Sequence, residues 1–219
     1  MKFLIFLGSV RESTPPRPAR LGLRVSRAIS TFFEQAFTEH SIEIIDPLDF
    51  ELGPVFKPHF SYAPSRLPQD LESLAQKIQE ADGYVMVSPE YNHSMSPALA
   101  NLLNHFGSSL FSYKPSTILT YSAGQWGGSR AAVGMRSFLS ELGCLPVSAM
   151  IHIPHAQQVF DEKGLMLSGV DENKWHEYFA RALDQMLWWA QAAKEQSGRV
   201  DPHDLVKAFK RDPSQRNAP

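Results

Sequence analysis

Cysteine occurs once in the 219 residues, at Cys144, which excludes an internal disulfide and any multi-thiolate metal site and fits a reducing compartment. No apolar stretch approaches the roughly 18 residues that a membrane-spanning helix needs. Basic runs are equally scarce. No five Lys/Arg residues are consecutive and the formal net charge is −2, so bulk electrostatics gives nucleic acid no footing. Two phosphate-binding spacings are missing as well, G-x-x-x-x-G-K-[ST] and G-x-G-x-x-G, which argues against nucleoside triphosphate hydrolysis and against a dinucleotide's pyrophosphate. The first residues, "MKFLIFLGSV", pair a lysine with a short apolar run as a secretory leader does, but no A-x-A-like cleavage site follows and arginines and prolines come at once. They are read as a first core strand, and the expected location is the cytoplasm, with no membrane association.

What is present suits a globular core: 43% apolar and 20% charged residues, enough for one substantial domain. The periodicity alternates along the chain. "KFLIFL" (2–7) and "GYVMVS" (83–88) are continuous apolar runs of strand length, as for strands covered on both faces. "SIEIID" (41–46) alternates like a strand near an edge, and "STILTYS" (116–122) and "LPVSAMIHI" (145–153) supply a fourth and a fifth strand. Helical spacing marks 23–37, 68–81, 127–143 and, longest, 171–196, with a further helix opened by Ser96 as cap and Pro97 as first helical residue. Strands alternating with helices predict a doubly wound α/β sheet, five parallel strands in the order 2-1-3-4-5 with helices on both faces. This domain is expected to span 1–196, leaving 197–219 as a polar tail, either frayed or docked on a neighbouring subunit through "DPHDLVKAFK".

In such a sheet, ligands bind beyond the carboxyl ends of the strands where the strand order reverses, here between the first and third. The loops leaving those two strands are also the most unusual in the chain. "GSVRESTPPRPARLG" (8–22) offers the Ser9 hydroxyl, Arg11, Arg17, Arg20 and a helix N-terminus to an anion, and Gly22 would let backbone approach it closely. A phosphate monoester fits better than a pyrophosphate. "SPEYNHSMSP" (88–97) offers Pro89 and Tyr91 as an apolar wall, Asn92 to a ring edge, and Glu90 and His93 reaching outward; equally, Glu90 could cap a turn and Tyr91 cover the core. A third loop, "SAGQWGGSR" (122–130), carries Gly124, Gly127 and Gly128, which suit backbone lying against a planar ring or ordinary turn chemistry.

"GSVRES" and "SPEYNHSMSPALANLLNHF" together resemble the NAD(P)H-dependent FMN reductase family of flavodoxin-like proteins, over about residues 1–195. The resemblance implies that Ser9 and Arg11 hold the phosphate of FMN and that Arg20, Leu21 and Gly22 close the phosphate loop, lengthened here by "TPPRPA". It implies that Pro89, Glu90, Tyr91 and Asn92 lie along the ribityl chain and ring, and that Ser122, Ala123, Gly124 and Gly127 face the pyrimidine end. NADPH or NADH would be the co-substrate and a quinone or another small flat aromatic the acceptor, with hydride carried by flavin N5, ping-pong kinetics and no catalytic side chain. A homodimer or homotetramer is implied too. The chain departs from the family pattern at His93, where glycine is frequent.

Other readings are weaker. A phosphate-ester hydrolase needs a nucleophile in the first loop, and the only cysteine is far away at Cys144. His152 and His155 lack an accompanying carboxylate cluster for a metal. A flavin-binding redox-sensing interaction protein, with incidental turnover, could dock through the aromatic face of the last helix, Trp175, Phe179, Trp188 and Trp189.

Overall fold

The computed structural model describes residues 1–11, 19–53 and 56–205. Arg17, most of the "TPPRPA" insertion and the tail beyond Leu205 lie outside the described residues. The strands are β1 (Lys2–Leu7), β2 (Ser41–Ile45), β3 (Gly83–Tyr91), β4 (Ser94–Met95), β5 (Pro115–Tyr121), β6 (Leu145–Pro146) and β7 (Ile151–Ile153). The helices are α1 (Leu21–Ala36), α2 (Gln69–Glu80), α3 (Pro97–Asn104), α4 (Ser108–Phe111), α5 (Ser129–Glu141), α6 (Ala156–Val159), α7 (Glu172–Ser197) and α8 (Pro202–Leu205).

β1 lies between β2 and β3, with Phe3 opposite both Ile42 and Gly83, and β3 continues to β5, with Tyr84 opposite Ser116. All these pairings are parallel, and β6 and β7 both pair parallel with β5 at the far edge. The order is therefore the expected doubly wound one, with its last position filled by two short strands. Alternate residues of the central strands face opposite sides, which explains their continuous apolar runs. Phe3, Ile5, Val85, Val87 and Leu119 pack under α1 and α7. Leu4, Phe6, Tyr84, Met86 and Ile118 pack under α2, α3 and α5. Cys144 belongs to the second cluster, and burial pushes its thiol up to about 12, so it is core and no nucleophile at neutral pH.

Two strand assignments need correction. The stretch 145–153 is not one strand. After Val147 N–H donates to Ser116 O (2.9 Å), the backbone leaves the ladder: Ala149 N–H donates to Gln185 Oε1 (3.0 Å), and Arg136 and Arg181 donate to the Ser148 and Met150 carbonyls (2.6 and 3.0 Å). An edge strand has a partner on one side only, so side chains from α5 and α7 compete for its peptide groups and blunt the edge. β3 errs in the other direction. It runs three residues past the apolar pattern, and Glu90 and Tyr91 pair antiparallel with Met95 and Ser94 of β4.

On α7, opened by the Asp171 cap (Lys174 N–H to Oδ1, 3.2 Å), the expected aromatic face divides: Phe179 is core, whereas Trp188 and Trp189 are exposed and meet edge to face at 4.7 Å. No helix among the described residues is long and apolar enough to cross a membrane.

Candidate functional site at the carboxyl ends of the strands

α1 and α2 leave β1 and β2 for opposite faces of the sheet, which opens a crevice beyond the ends of β1 and β3. The loop after β1 is rooted by Gly8. Its N–H donates to Val87 O (2.8 Å), and a Cβ there would fall 2.5 Å from that oxygen and 2.9 Å from Leu99 Cβ. Ser96 caps α3 as expected, accepting from Leu99 N–H (3.1 Å), but its hydroxyl also donates to Gly8 O (2.6 Å). Ser88 accepts from Ser96 N–H (3.0 Å) and donates to Pro89 O (2.8 Å). The two serines thus lock the start of the first loop to the second, a link between distant residues that no local pattern reveals.

Ser9 is buried beside the Tyr121 phenol at the end of β5, the two side chains converging on the point where a Cβ on Gly22 would sit. Burial raises the Tyr121 phenol above its ordinary value, with the neighbouring Ser9 side chain pulling the other way, so the hydroxyl stays protonated. Arg11 is exposed and reaches across the crevice to Tyr91 Oη at 3.5 Å. Arg20 departs from expectation: its buried guanidinium donates to the Asp46 carboxylate and to the Ser9 carbonyl. It braces the loop backbone against the turn after β2, where Asp46 also accepts from Leu48 N–H (3.0 Å). Leu21 packs toward the α1–α7 core, so only its backbone is available at the helix start. Gly22 is required by the chain itself, since a Cβ would lie 2.5 Å from Tyr121 Oη, 2.8 Å from Leu7 Cδ1 and 3.1 Å from Ser9 Cβ. Tyr121 is the site residue that sequence reasoning missed. It looks like another core position of an apolar strand.

The second segment is a hairpin rather than a loop. Asn92 and His93 form its two-residue tip at φ 50° and 61°, the left-handed pair of a type I′ turn, where glycine is favoured at the second position. Pro89 is buried opposite Tyr121, and Tyr91 is exposed rather than covering the core. Glu90 takes the capping alternative. Its Oε2 accepts from the backbone N–H groups of Arg130 (3.1 Å) and Ala131 (3.3 Å) at the start of α5, and its Oε1 pairs with Arg130 Nη1 (3.1 Å). Burial pushes this carboxyl up, but the bonds from Ala131 and Arg130 outweigh it and hold the group below the usual carboxylate value.

Ser122 organises the third loop, donating to Gly124 O (2.7 Å) and accepting from Gly127 N–H (3.0 Å). Gly127 and Gly128 have φ of 58° and 76°, and a Cβ would meet Pro154 N at 3.0 Å or Thr120 Cβ at 2.8 Å, so turn chemistry and close packing explain both. Gly124 differs, because a Cβ there would meet nothing within 4 Å. The Ala123 carbonyl accepts from His155 Nδ1 (3.2 Å) and Gln157 Nε2 (3.0 Å), and the Gly124 carbonyl from His155 N–H (3.0 Å). Trans peptides then turn the Gly124 and Gln125 N–H groups away from that turn. The N–H groups of Ala123, Gly124 and Gln125 donate to no acceptor among the described residues. His152 sits apart from His155, its Nδ1 bonded to Thr120 Oγ1 (2.8 Å). Among the described residues no group of three His, Cys, Asp or Glu could hold a metal.

The sequence profile of a family described as NADPH-dependent FMN reductase matches residues 1–158. An NAD(P)H-dependent FMN reductase of Pseudomonas aeruginosa is 32% identical over 126 residues, 56% of this chain and 66% of that protein. A 2-hydroxy-1,4-benzoquinone reductase of a Burkholderia species is 25% identical over 77% of this chain and 97% of its own. The chain spans 55–66% of the length of three relatives that it matches at 32% identity. Among solved structures, a flavoenzyme NAD(P)H:(acceptor) oxidoreductase from Paracoccus denitrificans superposes with a TM-score of 0.64 at 17% identity, covering 88% of this chain and 98% of that one. At that identity the likeness is one of fold.

Proposed function

Because the chain belongs to the NADPH-dependent FMN reductase family, we propose that it is an FMN-dependent oxidoreductase that draws on NADPH or NADH and reduces a quinone or another flat acceptor. The balanced reaction takes NAD(P)H, one proton and a quinone to NAD(P)+ and the hydroquinone. When bound, FMN would supply the relay, accepting a hydride from the nicotinamide and passing two electrons on to the acceptor in a ping-pong sequence.

The donor set supports this reading. The Ser9 hydroxyl, the Arg11 guanidinium and the first N–H groups of α1 suit a phosphate dianion, where the helix dipole and charge-assisted bonds act together. Arg20 holds the Ser9 carbonyl, and Tyr121 lies against the same Gly22 position as Ser9. Pro89, Tyr91 and Asn92 form one wall for the ribityl chain and the ring, with Glu90 fixing that wall to α5. The N–H groups of Ala123, Gly124 and Gln125, without an acceptor among the described residues, are suited to ring oxygens and nitrogens at the pyrimidine end, and Gly124 leaves room for the plane. Donors fixed in this way would stabilise negative charge on the reduced ring, as an oxyanion hole does. No side chain is assigned as acid or base.

The observation that supports the proposal is a set of groups suited to an anion after β1 and, beyond the end of β5 at the same end of the sheet, N–H groups that donate to no acceptor among the described residues. The test adds NADPH anaerobically to FMN-loaded protein and then adds menadione. Bleaching of the flavin absorbance, reversed by the quinone, is expected. Flavin that stays oxidised with both NADPH and NADH would sink the proposal.

A further inference from the structure

Trp126 is the large aromatic of the third loop. It is 59% exposed and belongs to neither core cluster. Even so, the indole is held firmly. The Arg130 guanidinium lies over its ring, 5.0 Å from the centroid. Arg130 is itself fixed by Glu90 Oε1 at 3.1 Å, and the other Glu90 oxygen is held by the Arg130 and Ala131 N–H groups at 3.1 and 3.3 Å. On the other side, Trp126 O accepts from Ser129 N–H (3.1 Å), and the next residue is pinned by Ser122 and Thr120. The line Glu90–Arg130–Trp126 therefore joins the β3–β4 hairpin to the third loop, the two walls of the site.

An exposed indole with a guanidinium over one face is already biased toward one orientation, so covering the rest with a flat guest gains apolar burial at a reduced ordering cost. A compact, strongly hydrated acceptor gains nothing from it. We propose that Trp126, positioned by Arg130, determines acceptor specificity by stacking on planar aromatic acceptors at the mouth of the site. This rests on the oxidoreductase reading above.

The test uses FMN-loaded protein and compares the unsubstituted chain with Trp126→Ala and Trp126→Phe, on menadione and on ferricyanide. Trp126→Ala is expected to lower kcat/KM for menadione at least tenfold relative to that for ferricyanide, with Trp126→Phe recovering most of the difference. A readout independent of turnover is calorimetric binding of 2-naphthol, planar and redox-inert here, to the oxidised protein; its affinity is expected to fall by a similar factor in Trp126→Ala. An equal loss with both acceptors, or unchanged naphthol binding, overturns the assignment. Absence of turnover with any acceptor in the unsubstituted protein overturns it together with the reading it rests on, whereas turnover with an unaltered acceptor ratio overturns it alone.

Discussion

Replacing Gly22 with alanine places a methyl carbon 2.5 Å from Tyr121 Oη, 2.8 Å from Leu7 Cδ1 and 3.1 Å from Ser9 Cβ. All three distances fall inside the roughly 3.5–4.0 Å of an ordinary carbon contact. Leu7 and Tyr121 are buried and cannot swing aside, so the start of α1 must lift. Overpacking of this kind costs about 1–3 kcal/mol. Alanine's better helix propensity returns about 1 kcal/mol, which leaves a net loss of up to about 2 kcal/mol. Lifting α1 also displaces its N–H groups from the anion site, so FMN affinity is expected to fall about tenfold, the equivalent of about 1.4 kcal/mol. Tyr121→Phe alone costs about 0.5–1.5 kcal/mol for the polar interactions of a buried hydroxyl beside Ser9. In the Gly22→Ala background, however, it removes the worst collision. Urea unfolding of the four proteins should therefore show the double variant more stable than additivity predicts, by about 1 kcal/mol. An additive cycle, or a Gly22→Ala protein more stable than its parent, would refute the packing argument.

Arg11→Ala should weaken FMN binding by about 1.5–3 kcal/mol, the scale of a bond to a charged group, measured by titrating apo-protein; an unchanged affinity would put Arg11 in solvent. Glu90→Gln should destabilise the fold by about 0.5–1 kcal/mol at pH 7, the scale of a charge at a helix N-terminus. Because the folded carboxyl lies below its unfolded value, its contribution is present above about pH 4.3 and is lost as pH falls through the lower folded value. The gap between the two proteins should close on acidification, and a constant gap would contradict the capping role. His93→Gly, at φ 61°, should raise the unfolding free energy by about 0.5–1 kcal/mol, and a loss of stability would show that the imidazole makes a contact worth more than the turn strain.

The alternation of apolar runs with helical spacing was enough to read the sheet order, because strands covered on both faces leave a continuous signature at positions such as Phe3–Leu7 and Tyr84–Val87. The elements that pattern missed are the ones set by partners distant in sequence. Glu90 and Tyr91 read as loop because their antiparallel partner β4 is only two residues long, Ser94 and Met95, too short to show a strand period. The break after Val147 depends on Gln185, Arg136 and Arg181, three side chains from two helices. Arg20 was legible as a cation near a phosphate loop, but Asp46, the carboxylate it meets, is brought there by β2. Ser9, Arg11 and the third loop stand out as candidates by residue type, whereas the Tyr121 hydroxyl beside Ser9 does not, since one phenol in an apolar strand gives no sign that it ends under a helix start.

The central claim is that a phosphate is gripped where β1 gives way to α1, and the measurement that tests it most directly compares apo-protein binding of FMN with binding of riboflavin, which has the same ring and no phosphate. With Arg11, Ser9 and the α1 N–H groups engaged, FMN should bind at least about a hundredfold more tightly, the yield of two bonds to a charged group at about 1.5 kcal/mol each. Equal affinity for the two flavins would contradict the account.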